Sequence, residues 1–386
     1  MSIKGGSIIM KNIIFIAPEF HSIPPTYSSA VEWWIYNVAK ESNIKNMIIC
    51  KGERNENKTE IINKNSIIYR IRISRVYKRI FKKWTRLDPF PYSKRISLKI
   101  HQINKENDSI LIVHNSIKLY NEIKKFYPEE LIILHMHNKK NTEHLDYRTK
   151  LITPSIFLAD FFKKETPDIN VKVVPNGISK DMYNSNQHWN REKFNLQDKD
   201  IVILYAGRLD KGKGVIELME SVAILKNTIK NIKLLIVGDY KTKKRGRLED
   251  YRKKVIEQAN KMSSYCILVG NIPPNDMHKI YPLANLTVVP SLTDEAFCMV
   301  ALESMASGTP VLVSPRGGIK EFVIHNETGF HLKEPLSVES ISLDISETLN
   351  NPNVKAIAAK AKLTALNNYD WKNISNKFID VLNEWF

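Results

Sequence analysis

The sequence predicts an α/β protein of two domains, each an open, largely parallel sheet with helices on both faces. Three observations carry this. Short unbroken apolar runs recur along the chain, as strands buried on both faces require. Helix-like stretches separate them at intervals suited to strand–helix–strand crossovers. The length, 386 residues, is enough for two separate cores.

The elements follow in chain order. Ile13-Ile14-Phe15-Ile16-Ala17 is the first buried strand. The apolar stretch from Ile8 to Ala17 is broken by Lys11 and Asn12 and is followed by no clean small-residue cleavage site, so it reads as a strand and not a leader. Ala30 to Lys40 is helix-like, and Ile110 to His114 and Leu131 to Met136 repeat the strand pattern. The cycle restarts with Ile201 to Ala206, Lys233 to Val237, Cys266 to Val269, Leu286 to Val289 and Val311 to Val313. The stretch from Asn184 to Lys199 is polar and aperiodic, which places the domains at 1–184 and 185–368, with an aromatic-rich helix over 369–386. No repeat at solenoid spacing is found.

Composition excludes several classes. With 43% hydrophobic and 26% charged residues, 14 Gly and 17 Pro, the chain is neither disordered nor collagenous. Cys50, Cys266 and Cys298 are odd in number and far apart, which favours a reducing cytoplasm over a disulfide framework. No apolar run reaches the ~20 residues of a membrane-spanning helix. The net charge of +17 predicts attraction to something anionic.

Ligands of open α/β sheets bind beyond the carboxyl ends of the strands, so the chemistry is sought after each run. After Ala206 comes Gly207-Arg208-Leu209-Asp210-Lys211-Gly212-Lys213-Gly214. The G-x-x-x-x-G-K pattern suggests a phosphate loop, but Gly214 stands where a magnesium-binding Ser or Thr is needed. What remains is Arg208 and Lys213, able to neutralise a diphosphate without a metal, or two solvated cations. Gly270 and Asn271, after the Cys266 strand, fall at another such position.

After Val289 comes Pro290-Ser-Leu-Thr-Asp-Glu295-Ala-Phe-Cys-Met-Val-Ala-Leu-Glu303. With a helix starting near Phe297, Glu295 lies at its positive end and Glu303 almost two turns along. Glu295 and the N–H groups of Phe297, Cys298, Met299 and Val300 can then meet a sugar and a phosphate, while Glu303 reaches a ribose diol. The alternative is a first-turn charge and an exposed helix face. Cys298 reads as a small packed side chain, or as a thiol activated by the helix end.

These segments, with Ser304-Met-Ala-Ser-Gly308-Thr-Pro310-Val311, Gly317-Gly318-Ile-Lys-Glu321 and Asn326-Glu-Thr-Gly329-Phe330, resemble the nucleotide-sugar domain of family 4 retaining glycosyltransferases. Val174-Pro175-Asn176-Gly177 is similar to the segment leading into that domain. The resemblance implies the GT-B fold, two Rossmann-like domains facing across a cleft, with the acceptor on the first and the donor on the second. It also implies Arg208 and Lys213 on the donor diphosphate, Glu295 on the sugar hydroxyls, Glu303 on the ribose, and a final helix returning to the first domain. Front-face attack, in which the leaving phosphate takes the acceptor proton, requires no protein nucleophile, no metal and no cofactor beyond the nucleotide-sugar.

The first domain resembles the family less closely. His137 aligns with a family histidine near the transfer site, with His135 the alternative two residues earlier on the same face; a histidine at a strand end also reads as a structural group. Where the family's first phosphate-side loop has two glycines, this chain has Ser28 and Ser29, whose hydroxyls either donate to phosphate themselves or mark weakened catalysis.

Between Arg70 and Lys99 the chain carries Arg70, Arg72, Arg75, Lys78, Arg79, Lys82, Lys83, Arg86, Lys94, Arg95 and Lys99 against Asp88 alone. Interleaved with Val76, Ile80, Phe81 and Trp84, this reads as a basic amphipathic stretch for an anionic membrane or acidic polymer, or as a solvated helix face. A second basic cluster spans Lys241 to Arg247. No nucleic-acid reading module accompanies the charge. The expectation is a metal-independent hexosyltransferase, cytoplasmic and peripheral at the inner face of the membrane, moving a sugar from a nucleotide diphosphate to a lipid-linked, polysaccharide or other envelope acceptor. The rival is a coat or surface protein that keeps the fold without transfer.

Overall fold

The computed structural model describes residues 12–25, 29–84, 88–106, 108–185, 187–240 and 247–386. The chain divides into two compact units, residues 1–176 with 371–386, and residues 177–370.

In the first unit the elements run β1 (Ile13–Ile16), α1 (Ala30–Glu41), β2 (Asn46–Lys51), β3 (Thr59–Asn63), β4 (Ser66–Ile71), a single turn α2 (Arg75–Tyr77) continuing as a π-helix (Lys78–Trp84), α3 (Tyr92–Ile103), β5 (Ile110–His114), α4 (Ile117–Lys124), β6 (Ile132–His135), β7 (Lys150–Thr153), α5 (Ile156–Glu165) and β8 (Asn170–Val173). The strands form one sheet in the order β3-β4-β2-β1-β5-β6-β7-β8, parallel but for the antiparallel β3–β4 pair. The apolar runs predicted as strands are β1, β5 and β6, buried throughout. Sequence reading missed β2, the β3–β4 hairpin, β7 and β8. The edge strands are the least covered, β3 exposed over most of its length and β8 exposed at Asn170 and otherwise half-buried, so polar residues interrupt the apolar pattern there.

The second unit contains α6 (Lys180–Asn184), β9 (Ile201–Ala206), α7 (Val215–Leu225), β10 (Ile232–Val237), α8 (Arg247–Lys261), β11 (Cys266–Gly270), β12 (Leu286–Val289), α9 (Met299–Ser307), β13 (Val311–Val313), β14 (Phe330–His331), α10 (Val338–Leu349) and α11 (Val354–Asn368). Its sheet is parallel, in the order β11-β10-β9-β12-β13-β14. In both sheets the order reverses beside the first strand of the unit, between β1 and β5 and between β9 and β12. Such a switch point leaves a crevice at the carboxyl ends of the two diverging strands.

The expected boundaries were 184/185 and 368/369, whereas the chain divides at 176/177 and 370/371. The first difference has a packing cause: Ile178 and Tyr183 join the core cluster of Phe297, Leu302 and Phe322, so α6 belongs to the second unit. The last helix, α12 (Trp371–Trp385), belongs to the first. Phe378 packs on Phe15 and Trp34 at ring distances of 5.7 and 5.4 Å, and Ser375 donates to the Val38 carbonyl.

The basic stretch is not one amphipathic helix. It runs from the end of β4 through α2 and the π-helix, and then into α3. Arg70 is buried, donating to the Ile23 and Asn57 carbonyls and to Glu60 at 2.5 Å, so it leaves the exposed charge count. Arg95 lies 4.7 Å from the ring centres of both Tyr77 and Phe90, which ties α3 to the preceding turn. Val76 and Ile80 remain exposed beside Arg75 and Arg79. Arg86, and residues 241–246 of the second cluster, lie outside the described residues. Among the described residues no helix is long and apolar enough to cross a membrane.

Candidate active site

The loops after β9 and β12 meet at the switch point of the second sheet. After β9, the hydroxyl of Tyr205 donates to the Arg208 carbonyl at 2.8 Å, and a 3-10 turn over Lys211–Lys213 ends on Gly214, at φ +66°. A Cβ on Gly214 would stand 2.0 Å from the Pro290 carbonyl oxygen. The residue that breaks the phosphate-loop pattern is therefore a glycine because the β12 loop presses on it. Leu292 N–H donates to the Gly212 carbonyl at 2.9 Å, so the two loops are also hydrogen-bonded.

This contact sets the main pairing of the site. Lys213 Nζ lies 2.6 Å from Glu295 Oε1, and Ser291 Oγ donates to the same oxygen at 2.5 Å. Both charged side chains are largely buried. Glu295 is not in the first turn of α9, as the sequence suggested; the helix starts at Met299, four residues later. Backbone bonds to the next loop hold it instead: Glu295 N–H donates to the Arg316 carbonyl at 3.3 Å, and Gly318 N–H to the Glu295 carbonyl at 2.7 Å. Gly317 lies between at φ +74°, where a Cβ would fall 2.2 Å from the Glu295 carbonyl oxygen. Arg316 braces this arrangement by donating to the Leu292 carbonyl and, bidentately at 2.7 Å, to Glu334. Ser291 and Arg316 were missed in the sequence because nothing local marks them; only the fold sets them against Glu295.

Arg208 keeps its guanidinium in solvent, 79% exposed, with Asp210 3.5 Å away. The first turn of α9 leaves the N–H groups of Met299 and Val300 without helical acceptors, while that of Ala301 meets the Cys298 thiol. Phe297 contributes no side chain to a ligand: its ring stacks on Phe322 at 4.8 Å in the core. Cys298 packs against the same cluster at φ +91°, and burial raises its thiol, so it is not an activated thiolate. Glu303 accepts from the Tyr281 hydroxyl at 2.7 Å, and burial pushes its carboxyl up to about 7. Gly270 ends β11 at φ +90° and accepts from Gly238 N–H, while Asn271 is exposed beyond it.

In the first unit, Ser29 Oγ donates to Glu32. Ser28 lies outside the described residues. His137 is buried beyond β6, its backbone N–H donating to Asn115 Oδ1 at 3.2 Å. Burial depresses it to about 3, and it also lowers His114 and His135, so all three rings are neutral. They adjoin one another, with centres 4.1 Å apart for His135 and His137 and 4.9 Å for His114 and His135. His114 was read in the sequence only as the last residue of a strand.

The second unit thus gathers a cation, a carboxylate and a helix N-terminus at the switch point of its parallel sheet, the place where open α/β sheets bind ligands. The chain belongs to the group 1 glycosyltransferases. Residues 186–364 match the family described as Glycosyl transferases group 1. Over 379 residues, 98% of this chain and all of the relative, it is 41% identical to the lipopolysaccharide 1,2-N-acetylglucosaminetransferase of Salmonella typhimurium. Among solved structures it resembles sucrose-phosphate synthase of Thermosynechococcus elongatus (TM-score 0.75, 17% identity, covering 97% of this chain and 99% of that one). It also resembles Anabaena HepE in complex with UDP-glucose (TM-score 0.72, 17% identity, covering 97% and 99%). The fold is thus GT-B, as the sequence resemblance implied.

Proposed function

We propose that the chain is a retaining glycosyltransferase of family 4 that moves N-acetylglucosamine from a uridine diphosphate donor to a lipopolysaccharide acceptor. The observation that carries the donor site is the Lys213–Glu295 pair, closed by Ser291 and clamped by Arg316 to Gly318. Among the described residues both bonds to Glu295 fall on Oε1, so Oε2 is available to accept from a sugar hydroxyl. The full-length similarity to a lipopolysaccharide N-acetylglucosaminetransferase supports the sugar and acceptor, and the UDP-glucose bound by a protein of the same fold supports the nucleotide class.

The reaction follows from charge. As the bond between sugar C1 and the phosphate oxygen breaks, negative charge grows on the diphosphate. Arg208, Lys213 and the N–H groups at the start of α9 stabilise it by charge-assisted hydrogen bonds, Lys213 from a position already fixed by Glu295. The acceptor hydroxyl attacks C1 from the same face and passes its proton to the departing phosphate oxygen, so configuration is retained. Glu295 orients the sugar and Glu303 the ribose. Charge neutralisation by the two cations makes a metal on the diphosphate unnecessary. Exposed Val76 and Ile80 beside Arg75 and Arg79 support a peripheral position on an anionic membrane.

The test is incubation of the purified chain with a panel of nucleotide-sugars and a lipopolysaccharide core acceptor lacking its terminal N-acetylglucosamine. The expected product gains one N-acetylhexosamine by mass, α-linked by NMR. A β-linkage removes the retaining assignment, and transfer of another sugar removes the donor assignment.

A further inference from the structure

Six ring nitrogens, two each on His114, His135 and His137, have no hydrogen-bond partner among the described residues, although the three residues are at most 6% exposed. A neutral imidazole needs one acceptor and one donor partner, and each buried polar group left unmet costs about 1–3 kcal/mol. Three adjacent histidines in that condition call for a shared occupant. The fold assembles them deliberately. His114 and His135 are register partners at the carboxyl ends of β5 and β6, and His137 follows two residues later, on the same face. Neighbouring polar groups are committed elsewhere: Trp34 Nε1 donates to the Pro175 carbonyl, and Asn115 Oδ1 takes the His137 backbone N–H.

We propose that His114, His135 and His137 together bind one zinc ion. One nitrogen from each ring lies within 4.8 Å of the others. A tetrahedral ion with 2.0–2.1 Å bonds needs them about 3.4 Å apart, so binding draws the rings together by up to about 1.4 Å. The donor set selects the metal. All-imidazole ligation suits zinc and its first-row neighbours, whereas magnesium and calcium demand oxygen. Three protein ligands leave a fourth position for water or a substrate hydroxyl. The aromatic wall of Phe15 and Trp34 around the rings excludes solvent from the rest. Ligation through one nitrogen of His137 holds the other as a fixed N–H donor, which orients the ring. The zinc lies in the first unit and leaves the neutralisation of the diphosphate by Arg208 and Lys213 unchanged.

The full chain, free of any histidine tag, is dialysed against zinc, passed through gel filtration and its metal measured by mass spectrometry. The expected result is stoichiometric zinc, visible d–d absorption bands of a four-coordinate site when cobalt(II) replaces it, and a melting temperature that rises with added zinc. His114→Gln and His135→Gln are each expected to lose the cobalt bands and the zinc-dependent shift while keeping the native circular dichroism. Substoichiometric zinc in the wild-type chain, or wild-type cobalt bands in either variant, overturns the proposal. If neither variant folds, the wild-type metal content and cobalt spectrum decide alone. These readouts require no transfer activity, so failure here is distinct from failure of the proposed reaction.

Discussion

Replacing Glu303 by Gln tests the donor domain through proton linkage. Burial raises this carboxyl from 4.5 to about 7, against the opposing hydrogen bond from Tyr281. Between those values the native state holds a proton that the unfolded chain has released. The stability from this group is therefore full below 4.5 and is lost as pH rises through about 7. The whole shift corresponds to about 3 kcal/mol, of which ~2.5 kcal/mol falls between about pH 5 and about pH 8. Glutamine keeps the shape without the charge. Urea denaturation of both proteins at the two pH values should show the variant gaining ~2.5 kcal/mol relative to wild type at the higher one. The comparison cancels the opposite trend of the buried histidines, whose lowered values cost stability as pH falls. A stability difference that is equal at both pH values refutes the reasoning. If ribose hydroxyls donate to the carboxylate, wild-type affinity for UDP should also rise toward neutral pH, with a slope that Glu303→Gln removes.

The other predictions address the phosphate cations, the clamp and the basic stretch. The Arg208→Ala/Lys213→Ala double variant should lose at least about a hundredfold in transfer while keeping its fold, since each charge-assisted bond contributes about 1.5–3 kcal/mol; near-normal turnover would sink the assignment. Gly317→Ala forces a Cβ to 2.2 Å from the Glu295 carbonyl at φ +74°, so it should lower the melting temperature and reduce transfer, with a stability cost of ~2 kcal/mol or more. An alanine variant with wild-type melting and turnover would show that Glu295 is not held by this contact. Neutralising Lys78, Arg79, Lys82 and Lys83 together should weaken co-sedimentation with anionic vesicles and leave soluble-acceptor transfer intact; unchanged vesicle binding excludes this surface.

The geometry also explains how a modest local motif fixes Lys213 against Glu295. Gly214 and Gly317 each let one loop press on the backbone of the β12 loop, at Pro290 and at Glu295. Lys213 meets Glu295 because both of these contacts hold at once. A substitution at either glycine therefore acts on the carboxylate indirectly, through the backbone that carries it.

Much was determined by the sequence alone. The unbroken apolar runs of β1, β5, β6, β9, β10, β12 and β13 identify two doubly wound domains, because a strand covered on both faces must be apolar throughout. The spacing of Glu295 and Glu303 and the glycine-rich turn before α7 single out the loops that meet at the second switch point, since those features are local. The tertiary structure decided what depends on distant residues. Ser291 and Arg316 support Glu295 through loops that converge only at the switch point. Arg70, counted with the exposed charges, is buried because β4 lies inside the sheet. The charge-rich stretch is divided between several elements, with Arg95 packed on the rings of Tyr77 and Phe90. His114 joins His135 and His137 through strand register, and no reading of neighbours along the chain reveals register. Periodicity reports which face a residue occupies; only the completed fold determines what stands opposite that face.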